Sequence, residues 1–320
     1  MRKYFTLLIC IVMMSVMLSV CSAESDVDKQ IEQEMTSSKE ITFVDDLGRT
    51  VTINRPKRVV TLISSFADIW CLAGGAEQIV ATTNATWTYF DLPLNEDVVN
   101  LGSTKDINME ALIACEPDFI LASAGTDRNI ELENTFEQMG LNVAYFSINN
   151  FDDYLRVLKI CTNITGCTEN YDTYGIKVQT QIDDVLKRVE DTKPTILYVR
   201  ATGSSCKIKN SKDSILGEML LDLGCVNIAD VEDSLLEQLS MEVILDLDPD
   251  YVFVILQSAD PSDAEAVLEK TLLSNKAWTS LSAVKENRYY VLDSNLYNLK
   301  PNARWGDAYE QLADILYPEK

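Results

Sequence analysis

Fifty Asp and Glu side chains and no histidine set the chemistry open to this 320-residue chain. Without an imidazole there is no Ser-His-Asp or Cys-His activation of a nucleophile, no His-ligated catalytic zinc and no His axial ligand for haem. Carboxylates alone could act in pairs, as in an exported glycoside hydrolase, but no acid-base pair stands out, and 8% aromatic residues is not rich for a sugar cleft. Two glutamates do stand out by spacing. Met109-Glu110 leads to Pro117-Asp118-Phe119, and Met241-Glu242 leads to Pro249-Asp250-Tyr251, every position offset by 132 residues. Each copy reads as helix, Pro-Asp turn and buried strand, with the glutamate in the first helical turn, where the dipole favours it. One copy alone is an ordinary αβ unit. Two copies placed alike make a symmetric, outward pair of carboxylates, Glu110 and Glu242, suited to a partner with two similar halves.

The elements that must hold this pair alternate along the chain. A hairpin runs from Ile41 to Ile53 around an Asp-Leu-Gly turn. Apolar strand-like runs follow at Val59–Leu62, Ile79–Thr82, Phe119–Ala122 and Val143–Phe146, with helical stretches near Phe66–Ala73, Asn108–Ala114 and Ile130–Met139. A second set has strands at Thr195–Val199, Val226–Ala229, Tyr251–Leu256 and Tyr289–Leu292, separated by helices near Ile215–Leu223, Glu242–Leu247, Ala264–Leu273 and Ala308–Leu316. The alternation predicts an α/β fold with largely parallel sheets. Between the sets, Tyr171, Tyr174, Val178, Ile182, Val185 and Val189 recur every three or four residues, the apolar face of one long helix. This predicts a rigid strut joining two lobes, and little closure between them.

The first residues read as an export signal: Arg2 and Lys3, then an uncharged apolar run from Tyr4 to Val20. Leu18-Ser19-Val20-Cys21 resembles a bacterial lipobox, which would make Cys21 the lipid attachment site; cleavage after Ala23 is the alternative. The expected divisions are a signal over 1–21, a polar tether over 22–40, a first lobe over 41–167, a connecting helix over 168–192 and a second lobe over 193–320. Loss of Arg2 and Lys3 takes the formal charge from −23 to −25. Such a polyanion repels phosphate backbones, which excludes nucleic acid as a partner. Beyond the signal, Cys71, Cys115, Cys161, Cys167, Cys206 and Cys225 show no CxxC pair or dense framework; only Cys161 and Cys167 are close. They are expected to be small apolar core residues.

Taken together, Asp45-Asp46-Leu47-Gly48-Arg49, Pro56-Lys57-Arg58-Val59-Val60-Thr61-Leu62, Ala73-Gly74-Gly75-Ala76-Glu77-Gln78-Ile79-Val80, and Met109-Glu110 through Pro117-Asp118-Phe119-Ile120-Leu121-Ala122 resemble the substrate-binding proteins of bacterial ABC importers for ferric siderophores, haem and vitamin B12. The likeness runs from about Ile41 to the C-terminus. Where that family commonly has Gly-Leu-Gly after the first helix, this chain has Ala73-Gly74-Gly75-Ala76. The resemblance implies two Rossmann-like lobes joined by a single long helix, a ligand in the cleft between them, and no enzymatic activity or cofactor. It implies docking of Glu110 and Glu242 onto an ABC permease dimer that works with its ATPase. The lipobox-like run at Cys21 implies a lipoprotein on the outer face of the cytoplasmic membrane, or a soluble periplasmic or secreted protein if Cys21 is not lipidated.

In such a fold the ligand meets loops at the carboxyl ends of the strands. In the first lobe these carry Ser64-Ser65-Phe66 and Asn84 through Tyr89, with Trp87 and Tyr89; in the second they carry Arg200, Gln257 and the run Asn295 through Trp305, with Tyr297, Lys300, Arg304 and Trp305. Cations beside aromatic walls suit an anionic ferric siderophore that brings its own donors, so no residue is expected to ligate metal directly. Haem would need Tyr89, Tyr297 or a Met as axial ligand, and cobalamin would favour the aromatics. A surface adhesion module, the remaining alternative, would bind no small molecule.

Overall fold

Val59, Val60 and Thr61 are fully buried, and the strand they form is the middle of the first of two five-stranded sheets. The structure is a computed structural model that describes residues 40–318 apart from Asp213 and Ala259. The expected export signal, Cys21 and all but the last residue of the tether lie outside the described residues. The first sheet has five parallel strands in the order Val99–Asn100, Ile79–Thr82, Val59–Thr61, Phe119–Ser123 and Val143–Phe146. The inner strands, buried on both faces, are largely apolar, with Thr61 and Thr82 as buried polar exceptions, and the two-residue strand Val99–Asn100 at the edge is exposed. Val60, Leu62, Ala81, Ile120, Ala122, Val143 and Tyr145 form their own core with Leu112 and Phe136 from the flanking helices.

The second sheet repeats the plan. Thr195–Thr202 lies parallel to Tyr251–Gln257, which lies parallel to Tyr289–Leu292. The two residues Val226–Asn227 add to the start of Thr195–Thr202, and Cys206–Lys209 folds back antiparallel on its outer side. This second sheet has a separate core around Leu197, Val199, Val252 and Val254. The expected fold of two α/β lobes with largely parallel sheets is therefore the observed one, and from Thr42 onward the chain is one unit.

The segments that carried the family resemblance have structural work. Asp45, fully enclosed, accepts hydrogen bonds from the backbone N–H of Leu47, Arg49 and Tyr145 and from the Arg49 guanidinium, Nη2 at 2.6 Å. Arg49 also donates to the Val143 carbonyl and lies 4.5 Å over the Tyr145 ring. The hairpin of Ile41–Val44 and Thr50–Ile53 is thus held to the edge strand Val143–Phe146 by its own turn, with Gly48 at φ 78°. At the end of helix Ser64–Leu72, Gly74 takes a left-handed φ of 85°, and Gly75 packs against the Trp70 indole so closely that a Cβ would enter the ring. The Gly-Gly pair therefore makes the turn by itself.

Several elements differ from the sequence expectation. Ile130–Met139 is two short helices, Asp127–Glu131 and Glu133–Gln138. After Val226–Asn227 the chain turns into helix Ile228–Val231, because the Asn227 side chain accepts from the Ala229 N–H and starts a helix there. Helix Phe151–Thr165 is additional to the expected elements; Phe151, Tyr154, Leu155, Leu158 and Cys161 line its buried face at helical spacing. The six cysteines are free; Cys115, Cys161 and Cys225 are buried and the other three half-buried.

The strut is also not a plain α-helix. Glu169–Tyr171 and Lys177–Leu186 are α-helical, but Asp172–Ile176 between them forms a π turn. Gly175 is buried there, where a Cβ would stand 3.0 Å from Leu155 Cδ2, and the Tyr154 hydroxyl donates to the Tyr174 carbonyl at 2.8 Å. Close packing against helix Phe151–Thr165 and a hydrogen bond taken from outside the helix both favour the wider turn. Its apolar face, Val178, Ile182 and Val185, is buried, and Lys177–Leu186 packs against the last helix, Trp305–Leu316.

Candidate functional site

The carboxyl ends of the two sheets carry most of the expected site residues. In the first lobe, Thr61, Thr82 and Thr86 form a buried hydroxyl chain, with Thr61 Oγ1 donating to Thr82 Oγ1 at 2.7 Å and Thr82 Oγ1 2.9 Å from Thr86 Oγ1. That chain anchors a segment read from sequence as loop but folded as helix Ala85–Tyr89. Anchoring one side of the helix turns the other outward: Trp87 is 47% exposed and Tyr89 half-buried. A tryptophan held open at a strand end is a ready stacking surface.

In the second lobe, Arg200 sits near the carboxyl end of Thr195–Thr202, half-buried. Directly opposite it across the antiparallel pair stands Lys207. Like charges facing across a ladder repel unless an anion joins them. Gln257 is exposed at the end of the neighbouring strand, opposite Thr202. Arg304 is exposed in the turn Asn302–Arg304, and Lys300 is partly enclosed just before it. Burial pushes the Lys300 ammonium below the usual lysine range, partly opposed by Asp153. Among the described residues none of Arg200, Lys207, Lys300 and Arg304 is in an ion pair with a carboxylate. Also among the described residues, no group of Cys, Asp and Glu converges so as to hold a metal ion. The chemistry the loops offer is that of cations, amides and aromatic faces.

Two expected ligand residues are placed elsewhere. Tyr297 is 1% exposed and its hydroxyl donates to the Ala308 carbonyl at 3.0 Å, so it ties its short helix Ser294–Tyr297 to the last helix. Trp305 is fully buried between Phe151, at 5.9 Å edge to face, and Tyr309, at 6.4 Å. Trp305 is a core residue because the chain enters its last helix three residues earlier than the apolar pattern from Ala308 suggests, and Tyr297 because its own short helix packs against that last helix. Neither offers a surface to a ligand.

The residue overlooked at this site is Asn302. It is fully buried at φ 53°, and its Nδ2 donates to the Ser65 carbonyl at 2.9 Å and to Asp68 Oδ2 at 2.7 Å in the other lobe. Burial raises the Asp68 carboxyl above the usual range, against the Asn302 hydrogen bond and the Arg304 charge, which favour its ionised form. Pro301-Asn302 signalled a turn in the sequence, but nothing local signalled a contact more than 230 positions away.

Glu110 and Glu242 are both exposed in the first turns of matched helices, Met109–Ala114 and Met241–Leu247. The match extends to their caps: Asn108 accepts from Ala111 N–H and Ser240 from Val243 N–H. Beside Glu242 lies an open recess of about 650 Å³, lined by Glu232, Val243, Asp246 and neighbouring leucines.

The sequence matches the family model for periplasmic binding proteins over residues 59–296. It is 22% identical to an uncharacterized ABC transporter substrate-binding lipoprotein, YvrC, of Bacillus subtilis, over 100% of this chain and 99% of that one. Among solved structures it superposes on the iron uptake ABC transporter substrate-binding protein PiuA of Streptococcus pneumoniae with a TM-score of 0.68 and 22% identity, covering 87% of this chain and 98% of that one. It superposes on Staphylococcus aureus IsdE complexed with heme with a TM-score of 0.67 and 18% identity, covering 81% and 98%.

Proposed function

The chain belongs to the periplasmic binding protein family, and we propose that it is the extracytoplasmic solute-binding protein of an ABC importer, capturing an anionic ferric-siderophore-type complex and delivering it to the permease. The observation that carries the ligand class is the set of cations at the carboxyl ends of the sheets that form no ion pair among the described residues, with Asp153 and Asp68 acting on Lys300 and Arg304 only electrostatically. Arg200 faces Lys207 across a ladder, and Lys300 and Arg304 stand at the turn before the last helix. In a chain with 50 acidic residues, four such cations are most simply neutralised by a bound anion. Trp87 and Tyr89 supply the aromatic wall from the first lobe, and Gln257 an amide from the second. The iron arrives with its own donors, so the protein needs none.

Glu110 and Glu242 are the docking pair for two similar permease subunits, whose arginines would meet them; the permease works with its ATPase. The chain is a carrier and not an enzyme. It is held to the outer face of the cytoplasmic membrane through a lipid on Cys21; a soluble periplasmic or secreted form is the alternative. The relatives named as substrate-binding lipoproteins support that placement. Haem is the second reading of the ligand, favoured by the Tyr89 phenol two residues from the open Trp87, since a tyrosinate can serve as axial ligand. Cobalamin, being largely neutral, would use the aromatics and leave the cations idle.

Capture and delivery separate experimentally. Glu110→Ala combined with Glu242→Ala should leave binding in solution unchanged and reduce uptake by cells. Loss of binding in that variant would instead make the pair structural.

A further inference from the structure

Asn302 stands where three parts of the molecule meet. Its turn touches helix Ser64–Leu72 of the first lobe and the π turn of the strut, and continues into the last helix of the second lobe. We propose that Asn302 is the positioning residue of the cleft: by tying its turn to Ser65 and Asp68, it fixes the second lobe against the first and holds Arg304 toward the ligand.

The geometry makes the tie specific. Both hydrogens of the Asn302 amide are used, one on a backbone carbonyl at 2.9 Å and one on a carboxylate at 2.7 Å, the shorter being charge-assisted. The side chain has no exposed surface, so water does not compete for these bonds. Its backbone is left-handed, which asparagine tolerates better than most residues with a Cβ. Pro301 precedes it at φ −66°, and the Arg304 N–H closes the turn on the Pro301 carbonyl at 3.0 Å. Ser65 and Asp68 belong to the first helix after the central strand of the first lobe, and Ser65 was among the residues expected at the cleft. The tie therefore joins two cleft segments at their bases. Arg304, two residues beyond Asn302, is exposed and electrostatically coupled to the same Asp68.

That Arg304 is aimed at a ligand rests on the function proposed above; that Asn302 fixes the lobes does not, and the two can fail separately. The exported chain carries four tryptophans, which 5-fluorotryptophan labelling turns into four ¹⁹F resonances. Trp305 follows the tie, whereas Trp278 lies in the core of the second lobe remote from it. Asn302→Ala should shift or broaden the Trp305 resonance, leave Trp278 in place, and weaken the tightest ligand among a ferric tris-catecholate, a ferric tris-hydroxamate, haem and cobalamin by roughly tenfold, the loss expected when Arg304 no longer holds its one charge-assisted contact with the ligand. Asn302→Asp sets two carboxylates together and should perturb Trp305 further. Adding Asp68→Asn restores the bond between the two side chains with donor and acceptor exchanged but leaves the Ser65 carbonyl without its donor, so it should bring the Trp305 signal part of the way back. A purely steric role gives no such recovery. An unmoved Trp305 resonance in Asn302→Ala, or an Asp68→Asn/Asn302→Asp double variant no better than Asn302→Asp, overturns the proposal. If no probe binds the unaltered chain, the ligand reading falls, and the resonances still decide whether Asn302 sets the lobes.

Discussion

Asp118 and Asp250, 132 residues apart, do the same work in separate lobes: each carboxylate accepts backbone N–H bonds at the entry to its lobe's first parallel strand, Val59–Thr61 or Thr195–Thr202. Asp118 takes Lys57 N and Arg58 N at 2.8 and 2.9 Å; Asp250 takes Thr195 N and Thr195 Oγ1, both at 2.8 Å, and returns a bond from its own N–H to Thr195 Oγ1. Just before each, Glu116 and Asp248 adopt positive φ of 45° and 35° to make the turn. The repeat is thus a structural unit, and the exposed Glu110 and Glu242 are carried on it. Asp250→Ala should cost about 2 kcal/mol in equilibrium denaturation, because its partners are half-buried. Asp118→Ala should cost about 1 kcal/mol, because water can reach Lys57 and Arg58. Glu110→Ala and Glu242→Ala should each change stability by less than about 0.5 kcal/mol.

The pH dependence of stability should show two carboxylates acting with opposite sign. At Asp45, burial raises the carboxyl but the Arg49 and Tyr145 hydrogen bonds outweigh it, leaving the folded value below 3.8. Its contribution is present above 3.8 and is lost as pH falls through the folded value. Asp68 is raised above 3.8 by burial, so its ionisation costs stability once pH exceeds the folded value, and that cost fades as pH falls toward 3.8. Denaturation curves from pH 3 to pH 8 should therefore show Asp68→Asn gaining on the unaltered chain as pH rises, and Asp45→Asn losing. A gap for Asp68→Asn that does not change with pH contradicts the burial account.

Gly75→Ala should be among the most damaging small substitutions in the first lobe. The added methyl enters the Trp70 indole, which is itself fully buried against Phe119 at 5.9 Å. Overpacking of this kind costs about 1–3 kcal/mol. Gly48→Ala meets no atom but must hold φ 78°, so its smaller cost, about 1 kcal/mol, comes from the backbone alone. Thermal denaturation of the two variants should rank them in that order.

The sheets were legible because their strands are largely apolar runs: Ile79–Thr82 and Val143–Phe146, both mostly buried, and Tyr289–Leu292, partly exposed at Val291, have the bounds their sequence suggests. Cys206–Lys209 was not, since its two lysines and half-exposed pattern hide a strand that only pairing with Thr195–Thr202 creates. The strut's apolar face was visible, but its π turn depends on Leu155 and Tyr154, which lie on another helix. At the site, charge and loop position pointed to Trp87, Arg200 and Arg304. They could not separate an aromatic in a polar loop from one folded back into the core, which is where Tyr297 and Trp305 are placed. Asn302 was invisible for the opposite reason: its partners belong to the other lobe.

Trp87 and Arg304 belong to different lobes, and the proposed function requires one ligand to meet both. The most direct test is a titration of the chain from residue 22 onward, followed by tryptophan fluorescence, with a ferric tris-catecholate, a ferric tris-hydroxamate, haem and cobalamin, repeated on Trp87→Ala and Arg304→Ala. The account predicts saturable quenching by a ferric siderophore, with affinity reduced roughly tenfold or more by Arg304→Ala, as for loss of a charge-assisted contact, and by Trp87→Ala through lost stacking. A flat response to all four ligands, or tight binding that neither substitution weakens, would contradict it.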